Sequence, residues 1–138
     1  MEVIMRKELI GVYIVLVILI FSACSHSEKF DTSAKLLRVY TDLQKEADWW
    51  IVSKEISEMS IFVEAENIDT VLFWIVPTGT ETWRERTLIG YDKDGSNGWS
   101  LTWEFGDRTF HDRIFVQALG SDNSTQDTET IKVTTAEP

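Results

Sequence analysis

The chain is poor in the residues that most often carry covalent staples or chemistry. Its one cysteine, Cys24, allows no intramolecular disulfide, so packing alone must hold the fold together. Two histidines, His26 and His111, leave little for a zinc site or for a nucleophile that needs an imidazole base. No Gly-x-Ser-x-Gly or His-Glu-x-x-His segment occurs. Positive charge is scarce: 13 Lys and Arg stand against 23 Asp and Glu, and a formal net charge of −10 repels nucleic acid and anionic lipid headgroups. Cations and basic partners are the favoured company. Internal repeats and low-complexity runs are absent. What is present is apolar and aromatic mass, 43% hydrophobic residues with six Trp and seven Phe among 138, enough for the core of one ordinary domain.

The only long apolar run, Leu9 to Phe21, follows Arg6 and Lys7 and precedes small residues, the layout of a secretory signal. It is shorter than the ~20 residues of a spanning helix. Its end, Phe21-Ser22-Ala23-Cys24, resembles the lipobox of bacterial lipoproteins, with Phe21 where leucine is usual. The resemblance implies that residues 1–23 are a cleaved signal peptide. It also implies that acyl chains such as palmitate are attached at Cys24, and that the remainder sits at the extracytoplasmic face of the cell membrane. Residues 24–48 then read as a tether: Ser25 to Ser33 is polar and aperiodic and contains His26. Leu36, Tyr40, Leu43 and Ala47 recur at helical spacing behind Thr32 or Ser33 as N-cap, which predicts an amphipathic helix over Ala34 to Asp48. The competing reading is a first strand over Leu36 to Tyr40 followed by a loop.

Beyond residue 48 the period changes to two. Trp49 to Val52 reads as an edge strand or as aromatic closure of the core. Glu58 to Ala65 alternates with Ile61, Val63 and Ala65 on one side. Val71 to Val76 alternates with Val71, Phe73 and Ile75 on one side, and Pro77-Thr78-Gly79 stops it. Leu88 to Tyr91, Trp99 to Phe105, Arg113 to Leu119 and Thr130 to Thr134 complete the series, separated by turn residues at fairly even intervals. Such a pattern predicts an all-β sandwich of about seven strands over residues 49–138.

Val71-Leu72-Phe73-Trp74-Ile75, Ile89-Gly90-Tyr91-Asp92, Trp99-Ser100-Leu101-Thr102-Trp103 and the stretch Val116 to Asn123 resemble the pattern of bacterial immunoglobulin-like domains, which occur on surface proteins and beside secreted polysaccharide-degrading enzymes. Ile114 stands where that family has a strand-F tyrosine, and the connection Pro77 to Arg86, carrying Trp83, is longer than the family's hairpin. The resemblance implies an immunoglobulin-like sandwich in which Val71, Phe73 and Ile75 fill the core and strands C and F are neighbours. Leu72, Trp74, Phe115 and Leu119 are then expected together on an outer face, with Trp83 as a further contact point. A contiguous apolar patch of that kind marks a contact surface, unless the helix expected at Ala34 to Asp48 lies across it. An envelope glycan or an envelope protein is the partner such a face suits.

Two further readings concern polar clusters. Asp92, Asp94, Ser96 and Asn97 bring oxygen ligands of the type calcium takes, although Gly95 comes too early for an EF-hand and a hairpin turn accounts for the same residues. A carboxylate pair for glycoside hydrolysis is the enzymatic alternative, since acidic side chains are abundant. The sequence favours a binding or adhesion module without catalysis or cofactor. A small carbohydrate-active enzyme and a calcium-dependent structural domain are the alternatives.

Overall fold

The structure is a computed structural model that describes residues 28–80 and 83–138, with side chains described throughout except for Trp83. The expected signal segment 1–23, the expected lipobox Phe21 to Cys24 and the beginning of the expected tether lie outside the described residues. Thr32–Pro138 forms one compact unit.

That unit is a β-sandwich. The strands are β1 Lys35–Thr41, β2 Gln44–Glu46, β3 Trp49–Val52, β4 Glu58–Glu66, β5 Ile68–Pro77, β6 Thr87–Asp92, β7 Trp99–Glu104, β8 His111–Gly120 and β9 Gln126–Thr135. One sheet has three strands in the order β1-β4-β7, the other six in the order β2-β3-β9-β8-β5-β6. Neighbours are antiparallel except β3, which runs parallel to β9. The C-to-F adjacency expected of an immunoglobulin-like sandwich is present as β5 against β8, paired from Ile68 to Pro77.

The core forms because strand alternation sends β-branched and aromatic side chains to one side. Met59, Ile61 and Val63 of β4 meet Val71, Phe73 and Ile75 of β5, Ile114 and Val116 of β8, and Ile131 and Val133 of β9. Phe73 and Val116 are wholly buried. Phe110, in the connection before β8, is buried too, edge-on to Phe105 at 4.8 Å and to Trp103 at 5.6 Å between ring centroids. The Phe110 N–H donates to Thr135 Oγ1 (2.7 Å) and the Thr135 N–H to the Phe110 carbonyl (3.0 Å), which holds this loop against the end of β9.

The seven strands expected over residues 49–138 are there. The helix expected at Ala34 to Asp48 is not: the segment forms β1 and β2, and the strand reading of Leu36 to Tyr40 is the one realised. The four residues at helical spacing do not share a face: Leu36 and Leu43 pack against the core, Tyr40 stacks on Phe62 at 5.2 Å, and Ala47 is exposed in the turn after β2. Register with β4 shifts at a bulge between Leu36 and Arg38, so the side chains turned towards the core are Leu36, Val39 and Thr41 rather than every second residue, which breaks the strand's period of two. The segment changes sheets after β1, and a hairpin through Ala47 places β2 outside β3, so Trp49–Val52 is next to the edge rather than on it. Its start is tied across the sandwich by the Ala34 N–H to Thr125 Oγ1 and the Leu36 N–H to Asp127 Oδ2, both 2.8 Å.

Candidate functional site

The outer face of the six-stranded sheet gathers the residues that alternation turns away from the core. On β5 these include Leu72 and Trp74, and on β8 Phe115 and Leu119; all four are half-buried. Trp74 stands directly opposite Phe115 in register, while Leu72 faces Gln117 and Leu119 faces Thr70. The four expected residues therefore share one face, with Trp74 and Phe115 at its centre. No segment from residues 34–48 lies over it as a helix, because β1 belongs to the opposite sheet and β2 extends the same sheet at its edge.

Strand β6 enlarges the face beyond the sequence reading. A register shift beside Trp74 sets Leu88 opposite Trp74 and Tyr91 opposite Leu72, leaving Leu88 44% and Tyr91 59% exposed. At the other side Trp49 of β3 pairs with Lys132 of β9 and stacks on His111 at 5.0 Å with planes 15° apart. Tyr91 and Trp49 were within reach of the sequence, since each sits in an alternating segment. Which side of its strand faced the solvent depended on a bulge and on pairing with β9.

Basic side chains accompany the aromatic ones on this face, as they do elsewhere in the molecule at Arg38 over Tyr40, Lys45 over Trp50 and Arg108 over Phe110. Three rings carry a cation above them: Arg86 over Trp74 at 4.0 Å, Lys93 over Tyr91 at 5.5 Å and Lys132 over Trp49 at 5.7 Å. Arg113 is the register partner of Lys132. Outward carboxylates on this sheet, among the described residues, are confined to its margins, Glu46 on β2 and Asp69 at the bulged start of β5. Between them the outward side chains of β9 are Gln126, Thr128, Thr130, Lys132 and Thr134. The opposite sheet presents Glu58, Glu64, Glu66 and Glu104 outward, with Arg38 beside Glu64 at 3.8 Å. Trp74 is also held laterally, its indole N–H donating to Gln117 Oε1 (3.1 Å), and Gln117 donates onward to Gln126 Oε1 (2.6 Å).

Trp83 lies in a 3-10 turn, Trp83–Glu85, whose backbone alone is described there. The acidic connection between β6 and β7 spends its oxygens on its own backbone. Asp92 accepts from the Asp94 N–H (2.9 Å) and the Ser100 N–H (3.0 Å), and Asp94 accepts from the Ser96 N–H (3.0 Å). The hydrogen bonds from Ser96 hold the Asp94 carboxyl below its ordinary pKa. Asn97 is exposed in the same turn. Among the described residues no group of three or more His, Cys, Asp and Glu side chains is placed to hold a metal ion. A cleft of about 480 Å³ opens at one end of the sandwich, lined by Val52, Ile56, Arg108 and Phe110 together with two carboxylates, Asp107 and Glu137.

The fold and this face define an all-β sandwich with one sheet surface that is aromatic, basic and nearly free of carboxylates. Compared with known proteins, the chain matches no family model and no curated sequence.

Proposed function

We propose that the chain is a non-catalytic binding or adhesion module of the bacterial immunoglobulin-like kind. In this reading a lipid on Cys24 holds it to the extracytoplasmic face of the cell membrane, and the outer face of its six-stranded sheet contacts an envelope glycan or envelope protein. The observation that carries the reading is the cluster of Trp74, Phe115, Leu72, Leu88 and Tyr91 on three adjacent strands of one sheet surface. Aromatic side chains that keep part of their surface in water are the usual anchors of recognition surfaces. The order Arg6-Lys7, apolar run, Ser22-Ala23-Cys24 supports the anchor, and a lipoprotein amino terminus supplies the two or more acyl chains stable attachment needs.

Two experiments test the reading. Expression of the full chain in a bacterium with Cys24→Ala should release it from the membrane fraction and change its mature mass; unchanged retention and mass would remove the anchor. A pull-down against cell-wall glycans and secreted envelope proteins should capture a partner through wild type and lose it with Tyr91→Ala plus Leu88→Ser, two exposed positions. Catalysis is the rival outcome: glycan hydrolysis by the purified protein, abolished by Asp107→Asn or Glu137→Gln in the end cleft, would replace the binding reading.

A further inference from the structure

The chain has three asparagines, Asn67, Asn97 and Asn123, and their surroundings differ in a way that bears on their chemistry. The side-chain carbonyl carbon of an asparagine is open to attack by the backbone nitrogen of the next residue. Attack needs an amide free to swing, a nitrogen that can shed its proton, and no side chain standing over the approach.

Asn97 is exposed in the connection between β6 and β7, and its amide has no hydrogen-bond partner among the described residues. The next residue is Gly98, at φ 80°, with no atom within 4 Å of the place a Cβ would take. Its N–H donates to a neutral acceptor, the Gly95 carbonyl at 3.1 Å. Asn67 is tied down instead, since its side-chain N–H donates to the Ser33 carbonyl (3.0 Å) and the β-branched Ile68 follows it. Asn123 is followed by Ser124, whose N–H donates to the Asp122 carboxylate at 3.0 Å. A charge-assisted bond of that kind holds the proton more firmly than a neutral one, and the nearby anion opposes the anionic nitrogen that attack requires. Asp94-Gly95, the other residue pair of this type in the β6–β7 connection, is closed as well. The Trp99 indole packs so closely on Gly95 that no Cβ would fit, and the Asp94 carboxylate is occupied by the Ser96 N–H at 3.0 Å.

We propose that Asn97 is a site of spontaneous covalent modification, deamidated through a cyclic imide formed with Gly98. Hydroxide removes the Gly98 N–H proton, the nitrogen lone pair forms a bond to Asn97 Cγ, and the bond from Cγ to the side-chain nitrogen breaks. That nitrogen leaves as ammonia with a proton taken from solvent. Water then adds to one of the two imide carbonyls and opens the ring, giving aspartate by one cleavage and isoaspartate by the other. Water is consumed and ammonia released, with no oxidant or reductant. Either product adds a negative charge to a turn that already holds Asp92 and Asp94. Isoaspartate also lengthens the main chain by one carbon inside the turn that the Gly98 N–H closes. The site is independent of what the outer sheet face binds.

The test incubates the full chain at mildly alkaline pH, folded and in urea, and maps its peptides by mass spectrometry with fragmentation that separates aspartate from isoaspartate. In the folded chain Asn97 should convert while Asn67 and Asn123 keep their amides and Asp94 forms no isoaspartate. Urea frees the Gly98 N–H from Gly95, so conversion of Asn97 there should be about fivefold faster, the effect of one neutral hydrogen bond. Asn97→Gln, whose longer side chain cannot close the same ring, should abolish the conversion in folded protein with an unchanged thermal midpoint. An Asn97 amide that survives in the folded chain, whether or not it converts in urea, overturns the inference. So does conversion no faster than at Asn67 or Asn123, or an equal yield of isoaspartate at Asp94.

Discussion

Phe73 and Trp74 are adjacent and serve opposite ends of the molecule's economy of surface. Phe73 is wholly buried between the sheets, and Phe73→Ala should cost ~3–5 kcal/mol as a core truncation. Trp74 is half-buried, with Arg86 over its ring and an indole hydrogen bond to Gln117, so Trp74→Ala should cost less, about 1–2 kcal/mol. Denaturant melts of the two variants check the ordering, and a milder Phe73→Ala would mean the sheet is inside out. Ala47 offers a change of opposite sign. Its φ of 50° in the β2–β3 turn is costly for a residue with a Cβ, and Ala47→Gly should raise stability by about 0.5–1 kcal/mol in the same assay. Asn67 and Asn123 share that φ, 58° each, but asparagine tolerates it, so no such gain is expected there. At this scale the alternation that separates Phe73 from Trp74 was legible in the sequence, because it depends on nothing beyond the strand period. Phe110 was not, since one buried side chain in a polar loop has no period to betray it.

Among the elements, the β8–β9 turn shows how local chemistry is tied to tertiary structure. Asp122 accepts from the backbone N–H groups of Ser124 (3.0 Å) and Thr125 (2.9 Å), and these bonds hold its carboxyl down at about 2 against an ordinary 3.8. Thr125 in turn receives the Ala34 N–H and so fixes the start of β1. A depressed folded-state pKa means that the stabilisation is fully present above the unfolded value and is lost as pH falls through the folded one. Thermal melts of wild type and Asp122→Asn should therefore differ at pH 5, converge from pH 4 downwards through pH 2, and coincide only below it, at about pH 1. A gap of the same size at pH 2 as at pH 5 would mean that the charge is not what matters in this turn. Gly120 closes the same turn: a Cβ there would come within 2.6 Å of Asp122 Oδ1 and 2.8 Å of the Thr125 carbonyl, so Gly120→Ala must displace backbone and should destabilise by about 1–3 kcal/mol. The strand itself was readable from Ile114, Val116 and Ala118. The capture of β1 by its turn was not, because Ala34 and Thr125 are neighbours only once the sheets have stacked.

For the whole molecule, β1 decides where the domain begins. Its pairing with β4 runs from Lys35↔Glu66 to Thr41↔Ile61, and Val39 enters the common core. A chain lacking residues 1–48 should lose that cover and melt earlier, by about 4–8 °C for each kcal/mol removed, with broader transitions and a tendency to associate. An unchanged midpoint would show that the sandwich stands from Trp49 onward, as the change of period after residue 48 suggested. The all-β class, the seven strands of residues 49–138, the inward set Val71, Phe73, Ile75, Ile114 and Val116, and the outward set Leu72, Trp74, Phe115 and Leu119 were determined by the sequence itself. Each follows from alternation within one strand, a local property that pairing only reinforces. Tertiary structure alone decided the rest. A bulge broke the period of two between Leu36 and Val39 and so concealed a strand. Strand order and register set Trp49 beside Lys132, Trp74 beneath Arg86, and both rings on the same face as Tyr91. These relations join residues whose neighbourhood no local period encodes, since strand order and register arise only when the two sheets close on a shared core.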